Sequence, residues 1–331
     1  MPVDLHAHYV PPQLLAAVEE RGSAIGVTLR GNAIAFAYGF ATRQLFPLLV
    51  EPVAERRAWM GQQGVDRQVV ATWPDMFGYG LSANECAAWH GILNQTLAEW
   101  CMGEVDAFSW LASVPLPDAE DAEAELERAA ELGAIGAILP ANVEGMNIGE
   151  LALDPLWRRA EALDMPVLIH PVLVTPVPRA ARFALAQIVQ YPFDTTLGLG
   201  SLLATGVLDR FPRLVILGAH GGGALPWLAG RFDVMHERID RAAQGVAAQA
   251  SASSYLRRLA FDTIVHNPAA LCFLRDSAGI GQLVLGSDYS FPPADTAPIE
   301  TLRQAFTPDE VRAVCDENPR RLFPRLHGTR P

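Results

Sequence analysis

Short runs of strand-forming residues alternate with helix-patterned segments along this chain, and that alternation narrows its fold more than any other feature. The runs are "PVDLH" (2–6), "RQVVATW" (67–73), "VDAFSWLASV" (105–114), "AIGAILP" (134–140), "MPVLIH" (165–170), "RLVILGAH" (213–220), "RLAFDTIV" (258–265) and "GQLVLGSD" (281–288). Several are continuously apolar, as parallel strands covered on both faces must be. The segments between them carry helix signals. "DAEDAEAELERAAELG" (118–133) opens on acidic residues and stops at Gly133, and "DPLWRRAEALD" (154–164) has Pro155 near its first turn. Eight β/α alternations in 331 residues match an α/β fold of the (β/α)8 TIM barrel type, with a doubly wound open sheet as the alternative. Residues 23–60 interrupt the first β-to-α connection with a patterned insertion rather than a Gly/Ser linker. They are expected to cover the active-site face of a single domain spanning 1–331, in which no internal repeat or low-complexity segment is visible.

Composition then removes whole classes of function. Half of the residues are hydrophobic, enough for a large core, and the formal charge of −12 argues against nucleic acid or an anionic membrane surface as partner. No apolar run approaches the ~18 residues of a spanning helix. Asp4, His6 and His8 stand where a signal peptide would need a basic and then apolar start, so a cytoplasmic protein is expected. Cys86, Cys101, Cys272 and Cys315 are far apart with no CxxC and read as buried apolar residues. The chain has no lysine: all 25 Lys+Arg residues are arginine. That excludes Schiff-base chemistry, a P-loop and a metal bridge made by a carboxylated lysine.

His6, His8, His170, His220 and His266 lie at or just past the ends of proposed strands, and Asp288 ends the last one. In a barrel those ends converge on one face, where active sites form. His6 and His8, two apart on a strand, point the same way and can grip one ion. A third imidazole and a carboxylate, with His170 and Asp288 as candidates, would complete a mixed N/O site for a divalent metal. Any one of these histidines alone is better explained as a hydrogen-bonded core or surface side chain; the reading rests on their joint placement. Competing motifs fail. "HGGGALP" after His220 has no GxSxG elbow to serve, "HERID" at His236 lacks the second histidine of HExxH, and no GxGxxG follows a strand. His90, His236 and His327 fall in helix or tail contexts and read as structural or exposed.

"VDLHAHYVPP", "VLIHP", "FPRLVILGAHGGGALPWLAGRF", "FDTIVHNPAAL" and "LVLGSDYSFPP" together resemble the amidohydrolase superfamily, in its branch of 2-amino-3-carboxymuconate 6-semialdehyde decarboxylase and related metal-dependent decarboxylases. The similarity runs from His6 to about Arg321. It implies a (β/α)8 barrel with one metal held by His6, His8, His170 and Asp288, and it makes His220 the acid/base residue beside that metal. The resemblance also implies that Arg231, in "WLAGRFD", binds substrate and can reach a neighbouring subunit's site, and more loosely that Arg43 binds substrate. It suggests a homodimer or higher homo-oligomer. "HPVLVTPVPRAA" after His170 departs from the tryptophan-containing "HPWDM" type of segment found in the namesake decarboxylase. The expected substrate is therefore the broader class of aromatic or unsaturated carboxylic acids.

Such a carboxylate needs a cation, which here is arginine or the metal. Phe291, Trp73 and Met76 can form apolar walls around a planar acid, though core packing explains Trp73 and Met76 equally well. Zinc suits the histidine-rich ligand set and manganese is the alternative. The expected activity is metal-dependent, non-oxidative decarboxylation, with water acting through His220, or Asp288 itself, supplying the proton. The rivals are hydrolysis or hydration of a lactone, ester or unsaturated diacid by the same groups, and a non-enzymatic metal-binding or scaffold role.

Overall fold

The structure, a computed structural model, describes residues 1–172 and 177–327. Its main sheet has eight parallel strands: β1 (Val3–His8), β2 (Arg67–Ala71), β3 (Phe108–Ala112), β4 (Gly136–Pro140), β5 (Val167–His170), β6 (Ile216–Gly218), β7 (Ala260–Asp262) and β8 (Leu283–Val284). Each strand pairs with the next in sequence. The segment after β8 returns to β1 through a parallel bridge between Ala7 and Tyr289, with Leu5 N–H donating to the Leu285 carbonyl at 2.8 Å and His8 N–H to the Tyr289 carbonyl at 2.6 Å. This sequential order has no switch point, so the sheet is a (β/α)8 barrel and not a doubly wound open sheet.

Alternation sorts each strand into two layers. Leu5, Val69, Leu111, Ile138, Leu168 and Leu217 fill the barrel interior, whereas Val70, Trp110, Leu139, Ile169 and Phe261 face the helices. The helices begin where their sequences direct. Asp118 caps Ala119–Glu131 by accepting from the backbone N–H groups of Glu120 (3.0 Å) and Asp121 (2.9 Å), and Ala122, Leu126 and Ala129 turn one stripe into the core. The helix Asp154–Ala162 buries Leu156, Trp157 and Ala160 behind Pro155 in its first turn.

Three strands end earlier than their apolar runs do. β6 stops at Gly218, β7 at Asp262 and β8 at Val284, and the chain then passes through His220, His266 and Asp288 with φ of 54°, 54° and 57°. That left-handed region is rare for non-glycine residues, which at such positions are commonly held by a functional site. Within the insertion, Val27–Arg30 and Ala33–Phe36 form an antiparallel hairpin, and the end of the 23–60 segment opens the helix Val53–Gln63. Cys272 is only partly buried, unlike the other three cysteines, and all four are free. Among the described residues, no helix is long and apolar enough to cross a membrane.

Candidate metal centre and active-site cavity

The centre begins with a defect in β1. Asp4 pairs with Gln68 but Ala7 pairs with Val70, so one extra residue is accommodated between them. With strict alternation, a strand that puts Val3 and Leu5 inside the barrel would turn His6 outward toward the helices. The bulge lets Leu5 pack inside and still brings His6 and His8 to the inner face.

There, ligating atoms of His6, His8, His170 and Asp288 all lie within 4.8 Å of one another, on four buried residues. The outer nitrogen of each imidazole is already engaged. His8 Nδ1 lies 3.1 Å from the Thr72 carbonyl and His170 Nδ1 lies 2.9 Å from the Pro171 carbonyl. A carbonyl only accepts, so these rings carry hydrogen on Nδ1 and point an Nε2 lone pair inward. His6 Nδ1 contacts Asp262 Oδ2 at 2.7 Å, with the same consequence. His6 Nε2 and His8 Nε2 then face each other at 3.1 Å, with Asp288 Oδ1 3.5 and 3.4 Å from them. His170 Nε2 and Asp288 Oδ1 are buried without a hydrogen-bond partner among the described residues. Inward lone pairs facing a carboxylate are a set of acceptors that a cation satisfies, so these residues fit a single divalent metal.

The charges agree with that reading. Burial and the neighbouring imidazoles hold His170 well below the ordinary histidine range, and burial lowers His8. Burial would raise the Asp288 carboxyl, but the facing imidazoles, His220 foremost, override it and hold Asp288 well below the carboxylate range. Neutral imidazole and ionised carboxylate are the forms that ligate metal. Burial lowers His6 too, yet its hydrogen bond and charge interaction with Asp262 bring it above the ordinary value.

Asp262 is the residue that the sequence reading missed. Fully buried at the inward end of β7, it accepts from the backbone N–H groups of His220 and Gly221, both at 2.8 Å, besides its contact with His6. One carboxylate thus orients the His6 ring and anchors the turn that presents His220. Gly221, Gly222 and Gly223 follow His220 with φ of 62°, 76° and 63°, a left-handed run that glycine adopts without steric cost. The signal available was an aspartate in the otherwise apolar "LAFDTIV". Asp262→Ala is expected to weaken metal binding by about 10- to 100-fold, measured by competition with a chelator; unchanged affinity would remove Asp262 from this role.

A second unforeseen group ties the seam between β1 and the segment after β8, which carries His6, His8 and Asp288 of the cage. Arg56 is fully buried. It donates to the His8 carbonyl at 2.7 Å, the Tyr289 carbonyl at 3.4 Å and Gln68 Oε1 at 2.7 Å, while its guanidinium stacks 5.0 and 4.9 Å from the Tyr9 and Tyr289 rings. Asp4 completes the tie by accepting from Ser287 N–H at 3.0 Å and Ser287 Oγ–H at 2.5 Å.

His170, His220 and Asp288 open onto a cavity of about 300 Å³, walled by Phe46, Trp73, Ile188 and Phe291, with Arg43 and Asp75 also in the lining. His220 Nε2 lies 3.4 Å from Asp288 Oδ2. Phe291 packs 4.7 Å from the His8 ring. His266, whose role the sequence left open, also lines the cavity. Two expected wall or binding residues stand apart from this group. Met76 is fully buried in a cluster with Trp89, whose Nε1–H donates to the Met76 carbonyl, and it is not in the lining. Arg231 is exposed on the helix Leu225–Arg238, also outside the lining. His90 is buried against Ser113, with Nδ1 2.9 Å from Oγ, and His236 lies on the outer helix beside Arg241. Residues 173–176 of the divergent "HPVLVTPVPRAA" segment, and the His327 side chain, lie outside the described residues.

The chain is similar in sequence and fold to several known proteins. Over 315 residues the chain is 29% identical to the 2-amino-3-carboxymuconate-6-semialdehyde decarboxylase of Dictyostelium discoideum, covering 91% of this chain and 86% of that relative. The 5-carboxyvanillate decarboxylase of Sphingomonas paucimobilis superposes with a TM-score of 0.80 at 23% identity, covering 98% of both chains. A dihydroxybenzoic acid decarboxylase from Polaromonas, solved with bound manganese and the inhibitor 2-nitroresorcinol, superposes with a TM-score of 0.78 at 18% identity over 99% of this chain and 98% of its own. Residues 3–325 match the Amidohydrolase family model, Amidohydro_2, across nearly the whole barrel and its ligand cage, and the chain belongs to that family.

Proposed function

We propose that the protein is a metal-dependent, non-oxidative decarboxylase, a carbon–carbon lyase acting on an aromatic or unsaturated carboxylic acid. One observation carries this reading: a cage of inward-facing acceptors opens directly onto an aromatic-walled cavity that holds both a proton-transfer histidine and an arginine. At about 300 Å³ the cavity suits a single-ring acid. His6, His8, His170 and Asp288 hold one divalent ion. Zinc suits the three imidazoles, and manganese, present in the Polaromonas decarboxylase structure, is the alternative. When bound there, such an ion would serve as a Lewis acid that withdraws electron density from the substrate.

The protein's own groups do the rest. Decarboxylation breaks the bond from ring to carboxyl carbon and leaves its electron pair on the ring carbon, which must receive a proton. His220 is in the cavity, 3.4 Å from Asp288, and can carry that proton. Asp288 is held ionised, so it delivers a proton only after receiving one. Arg43, with its guanidinium 5.3 and 5.6 Å from the Phe46 and Trp73 rings, offers charge and a planar fork to an anionic group on a ring lying along those walls. Through Arg43 and Phe46 the insertion forms one side of the cavity within the single domain.

The second arginine, Arg231, belongs to an assembly of two or more copies in this reading. Its helix exposes Trp227 (75%), Val234 and Met235 on the face that carries Arg231. Such an exposed apolar face fits a self-complementary interface, which would bring Arg231 toward the other copy's site.

The experiment is CO2 release by the metal-loaded protein across hydroxybenzoic, aminobenzoic, pyrimidine and muconate-type carboxylic acids, with and without a chelator. Chelator-sensitive CO2 from at least one acid is expected. Stoichiometric metal with no CO2 from any of them would favour hydrolysis or hydration, tested next on lactones, esters and unsaturated diacids.

A further inference from the structure

Asp75 is a cavity carboxylate for which neither metal binding nor proton transfer has a use. It sits in the short Pro74–Met76 turn that follows β2. Its side chain is 11% exposed, and its Oδ2 accepts from Arg43 at 3.3 Å. Among the described residues no second group hydrogen-bonds to it. Arg43 is 49% exposed and spends the rest of its guanidinium over Phe46 and Trp73. The pair is therefore held by one long contact between a solvated cation and a carboxylate largely removed from water.

Asp75 is partly buried and lines the cavity, with one oxygen left without a donor from the described residues, so a donor brought by a ligand would satisfy it. Burial raises the Asp75 carboxyl above the ordinary carboxylate range, and Arg43 offsets that only in part. The polar pair also neutralises itself in part, which makes it a weaker trap for a second carboxylate than a lone arginine. What it lacks is an O–H or N–H donor.

The position of Asp75 says which part of a ligand would supply that donor. From the metal end, His8 packs on Phe291 at 4.7 Å, Phe291 on Trp73 at 6.1 Å and on Phe46 at 5.9 Å, and these two rings carry Arg43, which holds Asp75. The aromatic wall thus separates the acceptor cage from the Arg43–Asp75 pair. A flat ring against this wall turns one edge to the cage and another to the pair.

We propose that Asp75 is a specificity-determining residue: its carboxylate accepts a hydrogen bond from a hydroxyl or amino group on the ring edge remote from the metal ligands, while Arg43 takes an adjacent oxygen. The substrate class then narrows to aromatic acids that carry such a distal donor, in addition to whatever oxygen the metal takes. This rests on the decarboxylase reading for its chemistry, though not for its geometry.

The test uses matched aromatic acids that differ only at the distal position, hydroxyl or amino against methoxy or hydrogen, with the metal-loaded wild type, Asp75→Ala and Asp75→Asn. Two readouts run together: kcat and KM for CO2 release, and calorimetric binding of the same acids. The wild type should prefer the donor-bearing member by on the order of 10- to 100-fold, the range for a hydrogen bond to a charged group. Asp75→Ala should collapse that preference, chiefly through KM, and Asp75→Asn, which keeps an acceptor oxygen, should retain part of it. A preference of wild-type size in Asp75→Ala overturns the proposal. So does an equal loss for all acids, which would mean that Asp75 only orients Arg43. If no acid releases CO2 while binding shows an Asp75-dependent preference, the decarboxylase reading fails and donor recognition by Asp75 stands.

Discussion

Replacing His220 with alanine is expected to leave the metal in place and to lower kcat by about 10²- to 10⁴-fold, the usual worth of a positioned acid or base. Metal should be retained because His220 lies outside the ligand cage, whose imidazoles are oriented by Asp262, Thr72 and Pro171. The turn should survive as well. Asp262 accepts from the backbone N–H of residue 220 and not from its side chain, and alanine meets the same left-handed backbone, φ 54°, that histidine already tolerates there. The loss should fall on kcat more than on KM, since proton delivery matters in the transition state and little in binding. Single-turnover CO2 release beside a metal assay checks this. Undiminished turnover would exclude His220 from the chemistry, and lost metal would recast it as a ligand.

The parts of this protein that were legible in its sequence share a cause. Parallel barrel strands are buried on both faces, so runs such as "VLIH" and "VILG" stand out as continuous apolar stretches. Barrel closure then brings strand ends together, so His6, His8, His170 and Asp288 could be grouped before any contact was known. What stayed hidden depends on local departures from regularity. A bulge between Asp4 and Ala7 leaves no trace in a two-residue period, although without it His6 would face the helices. The left-handed residues His220, His266 and Asp288 lie beyond strand ends that come earlier than hydrophobicity alone suggests. Asp262 resembles any turn aspartate until His6 is seen beside it. Arg56 belongs to the polar "AERRAW", which reads as a solvated helix face, yet its guanidinium holds the barrel seam. Met76, for which the sequence left wall and core equally open, packs in the core outside the lining, because an apolar residue next to a site has the same signature whether it faces the ligand or the core.

Replacing His8 with alanine should abolish stoichiometric metal, and thermal stability separates that effect from simple damage to the barrel. A metal that binds only the folded chain adds RT ln(1 + [M]/Kd) to its stability, about 3–4 kcal/mol when free metal exceeds Kd by 100- to 1,000-fold. Wild-type protein should therefore lose several degrees of Tm on treatment with a chelator. His8→Ala removes one of the four ligands, so its Tm should respond to neither metal nor chelator. The variant also removes one of two acceptor nitrogens that confront each other at 3.1 Å when no cation lies between them. Relief of that contact opposes the cost of the small void left by a fully buried ring. The metal-free forms of wild type and variant should consequently melt closer together than their metal-treated forms. Full metal occupancy in His8→Ala, or a Tm that still rises with added metal as it does in the wild type, would take His8 out of the ligand set and leave the bulge in β1 without a function.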